Sequence, residues 1–137
     1  MTAKTTKKTE YYQAVGRRKT AVAQVRLSHA GKTAFTVNDK TFQAYFSTEQ
    51  LRRIIKRPLE TTKLDDKWSI SAKLAGGGIQ SQAEALSHAI ARALVVYQAD
   101  LKPVLKTAKL IKRDPRMKER RKFGLKKARK APQWSKR

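Results

Sequence analysis

The chain has 137 residues, the length of one domain with room for an appendage. Its 33 Lys and Arg against 10 Asp and Glu give a net charge of +23, and self-repulsion on that scale calls for a polyanion as the usual neighbour. The absence of cysteine excludes disulfides, cysteine-ligated metals and cysteine nucleophiles, and no apolar run approaches the ~20 residues of a bilayer span.

In chain order, Met1–Glu10 is a polar, basic arm with no apolar block behind it. It does not read as a secretory signal, and the expected compartment is the cytoplasm. Ala21, Ala23, Val25 and Leu27 alternate with Val22, Gln24 and Arg26, the period of a half-buried strand. His29–Lys32 reads as a turn and Phe35 with Val37 as a second strand, so residues 15–37 are expected to form a hairpin. Asn38–Asp39 marks a further turn, and Phe42, Tyr45 and Phe46 form an apolar cluster. Ser47 or Thr48 can cap a helix running to about Lys56, with Leu51, Ile54 and Ile55 inward and Pro58 ending it. Trp68, Ile70, Ala72 and Leu74 give a third strand. Gly76–Gly77–Gly78 follows, and then Ala83, Leu86, Ile90, Ala93, Leu94 and Tyr97 recur at helical spacing between Gln80 and Gln98. Leu101–Lys106 can form a short last helix around Pro103. The pattern is α/β, two layers, a sheet covered by helices.

The charge is uneven. Between Thr107 and Arg137 fourteen basic residues face only Asp114 and Glu119, so this stretch carries +12 of the total +23. Its few large apolar residues cannot offset an ordering cost of ~1–2 kcal/mol per residue. Three parts follow: a basic N-terminal arm over 1–10, a globular α/β body over 11–106 and an extended basic tail over 107–137. Fully extended, the 31 residues of the tail span at most ~100 Å, well beyond a body with a radius of gyration of ~13 Å.

Three motifs carry chemistry. Gly76, Gly77 and Gly78 stand between a strand and a helix, where backbone N–H groups can cradle a phosphate; the same residues can equally be a tight turn needing positive φ. Arg17, Arg18 and Lys19 place three adjacent charges beside Gly16, and alternation along a strand prevents all three from burying. The tail interleaves cations with Phe123 and Trp134, which can stack on bases or sugars. Against a membrane-surface reading, its basic residues do not share one face of a helix. No catalytic residue stands out. His29 and His88 lack a carboxylate partner pattern, and Glu60, Asp65 and Asp66 lie in a Thr- and Lys-rich stretch that reads as solvated. No metal or other cofactor is expected. A DNA-compacting protein is the main alternative, but no helix-turn-helix or basic zipper is present. A nucleic-acid enzyme would have to rest on those three carboxylates.

The stretch Gly76–Leu94 resembles the signature of ribosomal protein nine of the small subunit, in its bacterial form. Gly16–Ala23, Leu101–Lys106, Arg113–Asp114, Arg120–Gly124 and Lys127–Arg137 are similar to further ordered motifs of that family, from about Tyr11 onward. Glu84 stands where the family commonly has a small residue, and Trp134 where it has Phe or Tyr. The resemblance implies a two-layer fold with a left-handed βαβ crossover, like the second domain of ribosomal protein five. It also implies a structural, non-catalytic role: a body on the ribosomal RNA of the subunit head beside neighbouring head proteins, and a tail threading towards transfer RNA in the P site. Carried over by motif, Arg17, Arg18, Lys19, Gly76, Gly77, Gly78, Arg113, Arg116, Arg120, Arg121, Lys122, Lys126, Lys127, Arg129 and Lys130 would meet ribosomal RNA, and Ser135, Lys136 and Arg137 transfer RNA.

Overall fold

Strand β1 (Tyr11–Arg18) turns through Lys19 and Thr20 into β2 (Ala21–His29), and the two pair antiparallel with Gly16 opposite Ala23 and Arg18 opposite Ala21. The computed structural model describes residues 10–65 and 68–137. The expected arm, apart from Glu10, and Asp66 lie outside the described residues.

The hairpin expected over 15–37 is corrected here. The partner of β2 in its hairpin is β1, which precedes it; the strand β3 (Ala34–Val37) pairs elsewhere. Hydrophobicity could not reveal β1, because Tyr12, Ala14 and Gly16 face inward with little apolar bulk between them. β3 makes a tight hairpin with β4 (Lys40–Thr41) through Asn38 and Asp39, both at positive φ, as a type I′ turn requires. A short helix, α1 (Phe42–Tyr45), follows, then α2 (Glu49–Thr62).

Pro58 does not end α2. It sits inside the helix with its ring buried beside Ile55 and Leu59, at the loss of one backbone hydrogen bond. The helix stops at Lys63, whose left-handed backbone returns its N–H to the Glu60 carbonyl (3.1 Å) while the Leu64 N–H reaches Leu59 (3.1 Å). Thr48 is the N-cap residue, without a side-chain capping bond.

The central strand is β5 (Trp68–Ala75), antiparallel to β2 and parallel to β3, so the five strands lie in the order β1-β2-β5-β3-β4. Asn38 locks β3 to it: its side chain donates to the Leu74 carbonyl (3.1 Å) and accepts from the Leu74 N–H (2.9 Å). One sheet face carries Ala14, Ala23, Val25, Leu27, Val37, Ile70, Ala72 and Leu74 into the core. Over that face lies α3 (Ile79–Tyr97), chiefly against β1 and β2, with α2 beside it. A 3-10 turn (Ala99–Leu101) leads into α4 (Lys102–Thr107), whose Leu105 closes the core.

Among the described residues no helix lies over the other sheet face. Arg17, Val22, Arg26, Ser71 and Lys73 point outward there. Beyond Ala108, residues 110–137 contain neither helix nor strand and are mostly exposed.

Candidate nucleic-acid interface

The first two motifs meet at the β1–β2 turn. Gly76 (φ +72°) and Gly77 (φ +64°) turn β5 into α3 directly against Thr20 and Ala21. A Cβ on Gly76 would stand 2.7 Å from the Thr20 carbonyl oxygen, and one on Gly77 would stand 2.7 Å from Ser81 Oγ. These two glycines are therefore required by close packing and by backbone conformation. Gly78 has open space around it, but its N–H already donates to Ser81 Oγ (3.0 Å), whose hydroxyl donates back to the Gly78 carbonyl (2.9 Å). Gln82 fastens the turn further, donating from Nε2 to the Gly76 carbonyl (2.9 Å) and accepting from the Tyr45 hydroxyl (2.6 Å).

The three adjacent charges separate as a two-residue period dictates. Arg17 is exposed on the open sheet face, and Lys19 is exposed in the turn with φ 50°. Arg18 points to the helix side, where its side chain is only 14% exposed. Its Nε donates to Glu84 of α3 at 2.5 Å, its Nη1 donates to the Arg116 carbonyl at 3.1 Å, and its Nη2 lies 3.4 Å from Asp114.

The third motif thus joins the first two at its root. Asp114 is also held by Arg116, through the guanidinium (2.8 Å from Nη2) and the backbone N–H (3.0 Å). Those bonds hold its carboxyl far below the usual carboxylate range, the Arg116 side-chain bond being the largest cause. One turn further along α3, the His88 ring takes the Arg17 N–H on Nδ1 (3.4 Å) and donates from Nε2 to the Ile111 carbonyl (2.7 Å). Burial pushes the imidazole pKa below its ordinary value, the Ile111 bond opposes that shift, and Arg92 and Arg113 add to it. Leu110 and Ile111 pack against the core.

Beyond Met117 the chain leaves the body. Arg120, Arg121, Lys122, Lys126, Lys127, Arg129 and Lys130 are all exposed. Glu119 gathers Lys122 Nζ and Arg129 Nε at 2.8 Å each, and Gly124 (φ +80°) turns the chain between them. Trp134, Ser135, Lys136 and Arg137 are exposed and far from the β1–β2 turn in sequence.

Several cations of this surface were not singled out from sequence. Lys106, Lys109 and Lys112 line, with Arg113, Asp114 and Arg116, an open groove of 610 Å³ beside the root. Arg26 and Lys73 share the open sheet face with Arg17, and Asp39 of the β3–β4 turn lines a pocket at its edge with Thr36, Ser71 and Lys73. The signal was available, since Arg26 and Lys73 occupy outward positions of alternating strands. Among the described residues no three His, Asp or Glu gather as metal ligands, and no helix is long and apolar enough to cross a membrane. His29 instead stacks on Trp68 with ring centroids 4.4 Å apart.

Residues 16–137 match the model of the family described as Ribosomal protein S9/S16. The chain belongs to that family. The match takes in the β1–β2 turn, the glycine turn, the root and the whole basic segment, the parts that converge or protrude in this surface. The family is ribosomal and structural rather than catalytic, so ribosomal RNA and ribosomal proteins are its expected surroundings.

Proposed function

We propose that this chain is an RNA-binding structural component of the small ribosomal subunit. Its body, 11–106, sits on ribosomal RNA of the subunit head among neighbouring head proteins. Its segment 107–137 threads through RNA as an extended tail towards the P site. The observation that carries this reading is the segment itself: fourteen cations against two acids, without helix or strand beyond Ala108, fixed to the body at its root. Such a segment gains nothing from its own folding and a great deal from phosphate neutralisation.

In this reading Arg17 and Lys19 of the hairpin, the glycine turn, and Arg113 and Arg116 of the root meet RNA at the boundary of the body. Arg120, Arg121, Lys122, Lys126, Lys127, Arg129 and Lys130 lie along the RNA, and Gly124 and Pro132 shape the path. Ser135, Lys136 and Arg137 reach the transfer RNA, Arg137 by its planar fork and Lys136 as a point charge. The crossover from β3 to the parallel strand β5 is read as left-handed, against the usual hand. The compartment is the cytoplasm, on the ribosome.

The test is sedimentation of lysate before and after a high-salt wash. One copy per small subunit, surviving the wash, is expected; migration with DNA or at the top of the gradient would overturn the reading. Deleting Ser135–Arg137 should leave subunit yield intact and weaken P-site transfer-RNA binding. Removing Lys109–Arg137 should lower subunit yield itself.

A further inference from the structure

Of the described tail-root and hairpin cations, Arg18 is the one turned inward. Its side chain has 14% exposure, against 84% for Arg116. It spends its fork inside the protein, on Glu84 of the long helix, on Asp114 and on the Arg116 carbonyl. A guanidinium held by two carboxylates and a backbone oxygen presents little charge to a phosphate. The same three contacts bridge three places that are distant in sequence: the β1–β2 hairpin, α3 and the root of the basic segment.

We propose that Arg18 is a positioning residue and not an RNA contact: with Glu84 and Asp114 it clasps the root of the basic segment to the body and sets the direction in which residues 117–137 leave it. The clasp acts on RNA only if that segment binds RNA, as proposed. A chain of +12 with a free root would explore a wide volume, and ordering it would subtract from binding. The clasp removes part of that cost beforehand. Asp114 extends the hold one step further, since it also binds Arg116 by side chain and backbone. Arg116 itself stays exposed, with Lys109, Lys112 and Arg113 around the adjoining groove. The arrangement keeps the root fixed while leaving the other cations outward.

Glu84→Gln tests this because the two readings predict opposite signs. Removal of an acid from a basic protein raises its attraction for RNA, and it would also free Arg18 for a phosphate. If Arg18 contacts RNA, Glu84→Gln tightens binding, and Arg18→Gln lowers the slope of log affinity against log salt by about 1. The clasp requires the reverse. With the full chain and small-subunit ribosomal RNA transcribed in vitro, Glu84→Gln and Arg18→Gln should each weaken binding about fivefold. The salt slope should stay unchanged, and the double variant should be no worse than either single one.

A second measurement needs no RNA. The carbonyl after which trypsin would cut at Arg116 is the one Arg18 holds. Cleavage there in the free chain should accelerate at least about fivefold in Glu84→Gln, with the helical circular dichroism and its melting retained. Unchanged cleavage, or tighter RNA binding, overturns the clasp. Failure of the unsubstituted chain to bind the RNA would count against the RNA-binding reading instead, and the cleavage rates would still decide the clasp.

Discussion

At Leu105 the chain buries its side chain completely, and at Phe123 the ring stands wholly in solvent. Between these two residues the means of holding the backbone changes. Up to Leu105 apolar side chains from one sheet face and from all four α-helices fill a common core, so each of these elements is fixed by many small contacts. From Leu110 to Arg116 the apolar contacts thin out to those of Leu110 and Ile111, and a few polar bonds, from His88 and Arg18, take over. Beyond Met117 the described ion pairs lie within the segment itself, at Glu119. The difference teaches that stability and function lie on separate stretches here. A cavity harms the first, a lost cation harms the last, and the short middle stretch connects their fates.

The body breaks most severely at Gly16. A Cβ there would stand 2.0 Å from the Ala85 carbonyl oxygen and 2.4 Å from the Ala89 nitrogen, both backbone atoms of α3. Helix and hairpin would have to part. Gly16→Val should cost more than about 3 kcal/mol or prevent folding, as read by urea unfolding followed by circular dichroism. A variant within 1 kcal/mol of the parent, on the order of a surface change, would mean that α3 does not lie so close. Leu105→Ala comes next. It removes the last fully buried side chain before the basic segment and should cost about 2–3 kcal/mol. Its effect on RNA affinity, measured well below the melting point, should be small by comparison.

Much of the body could be read from alternation and helical spacing. The inward rows of β2 and β5 and the buried stripe of α3 follow directly from Ala21–Leu27, Trp68–Leu74 and Ala83–Leu94. What could not be read was pairing. β1 carries alanine and glycine where a strand signal needs bulk, because α3 runs too near for anything larger. Without a signal for β1, alternation alone points to a hairpin one strand too late. Pro58 misled for a related reason: a proline ends a helix by local rules, but burial of its ring between Ile55 and Leu59 favours carrying the helix past it. Of the interface, charge density marked the tail at once. The inward turn of Arg18 was not legible, since three consecutive cations look equivalent until the strand's register is known.

The middle stretch should respond to pH. His88 is held below its ordinary pKa chiefly by burial, so the folded protein favours the neutral ring while the unfolded chain takes a proton near pH 6.5. Its contribution to stability is therefore complete above about pH 6.5 and is lost as the pH falls through that value and below. The parent should lose more stability between pH 7 and pH 5 than His88→Gln does. His88→Ala should cost about 1 kcal/mol at pH 7, for two bonds partly open to solvent. Equal pH profiles for the parent and His88→Gln would remove His88 from the connection between body and segment.

The smallest effect on stability, and the sharpest contrast, belongs to Glu119. Like Glu84 it holds an arginine, but its partners Lys122 and Arg129 are 44% and 84% exposed and belong to the same segment. Exposed pairs of this kind contribute between zero and about 1 kcal/mol, and here they tie the segment only to itself. Glu119→Gln should leave the melting temperature unchanged within about 1 °C. Its effect on RNA binding should nonetheless be favourable. Two cations are released to phosphates, one negative charge disappears, and no anchoring is lost. Affinity for small-subunit ribosomal RNA should rise, most at low salt. Two acids in one basic protein then give opposite results on the same substitution, because one ties the segment to the body and the other ties it to itself. If Glu119→Gln weakens RNA binding as Glu84→Gln does, the turn around Gly124 is a folded element that RNA requires, and the division between a clasped root and a freely adapting tail lies nearer to Lys130 than to Met117.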